Sequence, residues 1–171
     1  LRVRNLDINL PDGSKLAGNF GSRNLTVKSQ EIVNLQLTEM RTTMKTLRQL
    51  LPNFKPPETF DRLGHLYFTG RFDGFFADFV AFGDLRTDIG RARMDMQMNL
   101  LQGIDAATYR GELSLFDFDL GTWSQNPDLG LVNFSSKVLN GSGLTVENAN
   151  ADLEANIESF NFKNYNYQNA N

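Results

Sequence analysis

Few side chains in this sequence have the types and spacing for chemistry. There is one histidine, His65, and no cysteine. A zinc site draws its donors from several His, Cys or carboxylate groups, so no metal site is expected. A Ser–His–Asp nucleophile would have to use His65 as its base, and no Gly-x-Ser-x-Gly elbow exists to present the serine. Strand alternation places His65 on the face opposite Leu66, Phe68 and Phe72, as a surface histidine. Asp117 and Asp119 in "LFDFDLG" stand two apart, which would put both on one strand face. Such a pair fits Ca²⁺ or the two carboxylates of a glycosidase. It also fits a solvated face beside a turn, the commoner setting for aspartate. "GSG" at Gly141–Gly143 lacks the helix-opening context of a phosphate loop and reads as a hairpin turn. Asn24, Asn133 and Asn140 each begin an Asn-x-Ser/Thr triplet, but Asn133 falls inside an expected strand and such triplets arise by chance in an Asn-rich chain. No enzyme and no cofactor are expected.

The residues that recur with a strict period are apolar. In "RARMDMQMNLL", Ala92, Met94, Met96, Met98 and Leu100 point one way, and Arg91, Arg93, Asp95, Gln97 and Asn99 the other. This is the period of a half-buried β-strand. Three of its apolar positions are methionine, where a sandwich core would favour Val, Ile and Leu. Methionine is flexible and polarizable and suits surfaces that meet variable partners. The same alternation puts Leu6, Ile8 and Leu10 on one face, then Leu16, Gly18 and Phe20, then Val33, Leu35 and Leu37.

Between these runs the period changes once. In "TTMKTLRQLLP", Met44, Leu47, Leu50 and Leu51 follow helical spacing until Pro52, which predicts one short helix over Thr43–Leu51. "NFKPPETFDR" reads as a proline loop. Strands resume with "HLYFTGRFDG", "DFVAFGDLRT", "RARMDMQMNLL", "TYRGELSLF", "LVNFSSKVLNG", "ANADLEANIES" and "FNFKNYNY", with turn signals such as "DGS", "NPDLG" and "NGSG" between several of them. The expectation is an all-β, mainly antiparallel meander of ten or more strands. In "ADLEANI", Ala151, Leu153, Ala155 and Ile157 should face inward, and Asp152, Glu154, Asn156 and Glu158 outward. There is a weak internal echo: Leu63-Gly64 and Leu129-Gly130 each lead a strand with Phe at the fourth place after the glycine, Phe68 and Phe134.

The 171 residues suffice for one domain, 1–171. The net charge of −3 offers no basic field for nucleic acid. The sequence holds no apolar run long enough for a transmembrane helix. "LRVRNLDINL" has no initiating Met and reads as the middle of a strand, so a piece of a longer protein is expected. Phenylalanine, at 14 against four Tyr and one Trp, is the compositional outlier.

The passage from Leu50 to Leu100 resembles the AsmA-like, TamB-type envelope proteins, in their Bacteroidetes version. The residues that carry the likeness are Leu50-Leu51-Pro52 closing a helix, the Leu63-Gly64 strand entry, Gly70-x-Phe-x-Gly74, the Phe76–Ala81 segment and the Thr87–Gly90 turn before an alternating strand. "FDFDLGTWSQNPDLGLVNF" is similar to a later segment of the same family. The resemblance implies a long sheet bent into a U-shaped groove with an apolar interior. The parent would be anchored in the inner membrane, cross the periplasm, carry phospholipid acyl chains toward the outer membrane and work with an outer-membrane β-barrel partner. Neighbouring segments of the same parent chain would extend the sheet.

Under this reading the groove-lining candidates are Leu66, Phe68, Phe72, Phe79 and Leu85, then Met94, Met96, Met98 and Leu100, then Leu113, Leu115 and Phe134, and finally Leu153 and Ile157. The other reading of the same alternation is a structural or adhesive β-sandwich or solenoid module, whose apolar face would be sealed against a second sheet.

Overall fold

Turn chemistry dictates the architecture. At "PDGS", Asp12 accepts hydrogen bonds from the Ser14 backbone N–H (2.9 Å) and hydroxyl (3.1 Å), and Gly13 takes a left-handed φ of 84°, so the chain reverses at once. Thr87 and Gly90 close another reversal, with the Thr87 hydroxyl donating to the Gly90 carbonyl at 2.9 Å. The computed structural model describes residues 1–23, 32–50, 56–75, 77–145 and 147–170. Its strands are β1 (Arg2–Asn9), β2 (Lys15–Arg23), β3 (Ile32–Thr43), β4 (His65–Phe75), β5 (Asp78–Thr87), β6 (Gly90–Asn99), β7 (Thr108–Asp119), β8 (Leu129–Ser142), β9 (Asn150–Phe162) and β10 (Tyr165–Ala170).

They form one antiparallel sheet in the order β1 to β10, each strand paired with its neighbours in sequence. β1 and β10 do not pair with each other, so the sheet is open. At about 4.8 Å per strand, it runs about 43 Å from edge to edge. The all-β meander expected from the alternation is therefore what forms. Register shifts interrupt the ladders between Val3 and Leu6, Ala17 and Gly18, Leu37 and Met40, and Leu115 and Phe118, among others. Such bulges bend a strand and sharpen its twist.

Helical structure is richer than the single expected helix. α1 spans Met44–Leu50, matching that expectation except at Thr43, which ends β3, while Leu51 lies outside the described residues. A 3₁₀ turn at Glu58–Leu63 occupies what reads as a proline loop, and α2 spans Leu120–Ser124. The three pieces gather at one end of the strands. Met44, Leu63, Leu66, Phe118 and Val132 are buried together there, with Leu47, Phe60, Leu85, Leu115, Trp123, Phe134 and Phe160 packed around them. Trp123 meets Phe60 edge-on at 5.2 Å and Phe118 at 5.9 Å, and Arg62 donates to the Trp123 carbonyl. This is the packed cluster of the molecule, a local cap over one end of one sheet face, while Val33, Leu37, Ala107 and Val138 are buried outside it.

Two local expectations fail. Asp117 and Asp119 do not form a carboxylate pair, since each is held by different partners. Asp117 sits at φ 47° in the bulge of β7, reaching Arg91 at 3.4 Å. Asp119 instead caps α2, accepting from the Thr122 N–H at 2.9 Å and its hydroxyl at 2.7 Å. Those two bonds, the hydroxyl's first, hold the Asp119 carboxyl below its ordinary range. The second failure is at the C-terminal hairpin. The strand that begins at Asn150 runs through to Phe162, and the reversal falls at Lys163 and Asn164, with φ 49° and 66°. That is the signature of a two-residue type I′ turn, made here without glycine.

Candidate functional site: the apolar wall

Register converts alternation into rows across the sheet. Following the paired residues from strand to strand, one row reads Val3, Phe20, Leu35, Phe72, Ala81, Met96, Gly111, Val138, Leu153. The next reads Leu6, Gly18, Leu37, Gly70, Gly83, Met94, Leu113, Ser136, Ala155. A third passes through Ile8, Leu16, Met40, Phe68, Leu85, Ala92, Leu115, Phe134 and Ile157. On the other side lies Val33, Gly74, Phe79, Met98, Tyr109, Gly141, Ala151. Side chains of one row share a face, so four consecutive rows make one apolar wall without a charged residue.

The candidates divide along this wall. Phe72, Phe79, Met94, Met96, Met98 and Leu113 are only half-buried, and among the described residues no second sheet lies over them. A sealed sandwich core would bury them. Leu66 is different: it is 1% exposed, beneath the helical cap, and is a structural residue that no ligand can touch. Leu85, Leu115 and Phe134 stand at the border, packed against the cap on one side. Leu153 and Ile157 occupy their expected rows, but β10 pairs only with Ile157 and residues beyond it, so Leu153 stands at an open edge and is 46% exposed. Leu100 lies just past β6, in a turn where its N–H donates to the Ala77 carbonyl at 2.6 Å.

Alternation picked out Gly18 but missed Gly70, Gly83 and Gly141 on this face. A Cβ on Gly70 or Gly83 would come 2.7 Å from the Phe68 ring, so that ring lies flat over both. The Tyr109 ring covers Gly141 in the same way. Glycine in a strand costs stability unless a neighbouring aromatic covers it. Phe72 and Phe79 stack at 4.4 Å. The wall is thus low and smooth, paved by rings and thioethers. The signal was present in "FTGRFDG" and "AFGDL", where glycines fall in phase with the apolar positions.

The opposite face is polar and internally paired. Arg93 meets Asp84 at 2.8 Å, Lys15 meets Glu39 at 2.7 Å, and Arg110 donates to Gln97 at 2.9 Å. His65 is on this side, exposed, 2.9 Å from Asp88. The His65 backbone N–H, and then its side chain, hold the Asp88 carboxyl below its ordinary range. No third group joins them, and among the described residues no cluster of three potential metal ligands occurs. Two surface hollows, of about 450 and 590 Å³, also open on the polar face. No family model, curated protein or solved structure matches this chain.

Proposed function

We propose that this chain is a non-enzymatic segment of a bridge-like lipid transfer protein of the AsmA-like, TamB type, whose apolar wall carries phospholipid acyl chains between the inner and outer membranes across the periplasm. The observation that carries the reading is the wall itself, four apolar rows crossing the sheet, in which Val33, Leu37 and Val138 are buried but Phe72, Phe79, Met94, Met96, Met98 and Leu113 stay partly exposed. Each CH₂ withdrawn from water is worth about 0.8 kcal/mol. An acyl chain of about 16 carbons, losing about half its contact with water against one apolar wall, therefore gains about 6 kcal/mol. A moving chain needs continuous wall and no tight pocket, which rings laid over glycine and flexible methionines provide. The unpaired edges of β1 and β10 are where neighbouring segments of the parent chain would continue the sheet. The outer-membrane β-barrel partner belongs to the parent protein and is assigned no surface here.

Met96→Asp tests the reading, with Gln97→Asp on the opposite face as control. On an open wall the new carboxylate reaches water, so the sheet stays folded. It repels an acyl chain, because holding a charge against hydrocarbon costs several kcal/mol. Photo-crosslinking to phospholipid should fall for Met96→Asp and stay near wild type for Gln97→Asp, with melting temperatures of all three within a few degrees. A wild-type protein that never crosslinks to lipid would remove the lipid reading.

A further inference from the structure

The polar face holds a feature that the lipid reading does not use. One row across it reads Lys15, Arg41, Tyr67, Arg86, Arg91, Phe116. It contains four cations and no acid, in a chain whose net charge is −3. Arg86 and Arg91 are directly opposite each other on β5 and β6, and like charges placed so repel. Elsewhere on this face an opposed like pair is relieved: Asp95 faces Glu112, but Lys137 stands on the other side of Glu112. The arginine pair is flanked by aromatics instead. The Arg86 guanidinium lies 4.6 Å from the Tyr67 ring centroid and that of Arg91 5.8 Å from Phe116. Stacking fixes the guanidinium planes and leaves their N–H edges free to donate.

The two arginines open into the hollow of about 450 Å³, which Arg93, Glu39 and Asp84 also line. Both acids are already engaged, Asp84 with Arg93 and Glu39 with Lys15. Arg91 has a long contact of 3.4 Å to Asp117 outside the hollow, and among the described residues Arg86 has no carboxylate within ion-pair distance. A repulsion answered only by one long contact, and only at Arg91, marks a place where a ligand supplies the missing charge.

We infer that the Arg86–Arg91 hollow binds a phosphate group. Two guanidinium forks opposed across neighbouring strands approach from different directions, which the oxygens of a tetrahedral, multiply charged phosphate meet better than the planar, singly charged carboxylate. The site lies on the opposite face of the sheet from the apolar wall, so it is independent of the lipid reading and does not hold the head of a chain lying on that wall. The phosphate comes either from a small soluble ester or ion, or from the surface of an anionic bilayer.

Calorimetric titration with inorganic phosphate, and sedimentation with phosphatidylglycerol vesicles, test the inference and separate the two sources. Arg86→Gln and Arg91→Gln should each weaken binding about tenfold, the value of one charged hydrogen bond. Arg86→Lys, which keeps the charge and loses the fork, should recover part of it. Arg2→Gln is the control. It lines the other polar-face hollow and lies opposite Gly21, not a second cation, so it should leave binding unchanged. Phosphate binding that depends on Arg86 and Arg91 supports a soluble source; vesicle binding alone with the same dependence supports a bilayer. Absence of both, or equal weakening by Arg2→Gln, overturns the site. Circular dichroism of each variant establishes that it is folded, and Arg86→Lys serves where Arg86→Gln is not.

Discussion

Single residues set the height of the apolar wall. Phe68 reaches across β4 and β5 only because Gly70 and Gly83 leave the space beneath its ring. Gly83 has two neighbours that cannot yield equally: a Cβ there would press the Phe68 ring tip, which can swing, and the Thr69 carbonyl, which is backbone. Gly83→Val should therefore destabilise the sheet by about 1–3 kcal/mol, the usual cost of overpacking. It should also lift the ring off the wall. Urea denaturation measures the first effect. Loss of lipid crosslinking near Phe68, in protein still folded below the transition, measures the second. A neutral Gly83→Val would mean that Phe68 does not rest on this glycine. The same residue scale explains why Asp117 and Asp119 do not pair. Parity counting assumes an unbroken pleat, whereas Asp117 lies at positive φ in a bulge where it meets Arg91, and Asp119 ends the strand as the cap of α2.

At the scale of elements, the molecule has two kinds of apolar surface that the sequence writes in the same letters. Leu66 and Met98 are both in-phase apolar strand residues, yet one is under the helical cap and the other is on the open wall. Leu66→Ala should cost about 2–5 kcal/mol by leaving a cavity in a packed core. Met98→Ala should cost less than about 1 kcal/mol, because a half-exposed side chain forfeits little burial on truncation. Chemical denaturation of both variants measures the difference, and equal costs would mean that the wall is covered. The strands, their order and most of their faces were legible because alternation holds between register shifts, while the phase slips at shifts such as Val3/Leu6 and Leu37/Met40. The cap was legible only in α1. The 3₁₀ turn and α2 are too short for a helical period to show, and they form because Phe60, Phe118 and Trp123 find one another across 63 residues of chain. The Lys163-Asn164 reversal hid because left-handed backbone is ordinarily announced by glycine.

At the scale of the whole molecule, an open wall and a pocket differ in how they treat ligand length. A pocket has an end, so affinity for a homologous series of chains rises and then stops when the pocket is full. The wall has none over about 43 Å, the width of ten strands, and it meets a chain from one side only. Each added CH₂ then loses roughly half its contact with water, for a gain of about 0.4 kcal/mol, half the value of full burial. Affinity for single-chain phospholipids of roughly ten to eighteen carbons should rise about twofold per carbon, with no plateau. Competition against a fluorescent fatty acid measures the series. The cap narrows the wall at one end of the strands but leaves the axis across them open, so the slope should be the same in a Leu85→Ala variant. A plateau inside the series would place the chain in an enclosed site, and the smooth wall would then be only the entrance to it.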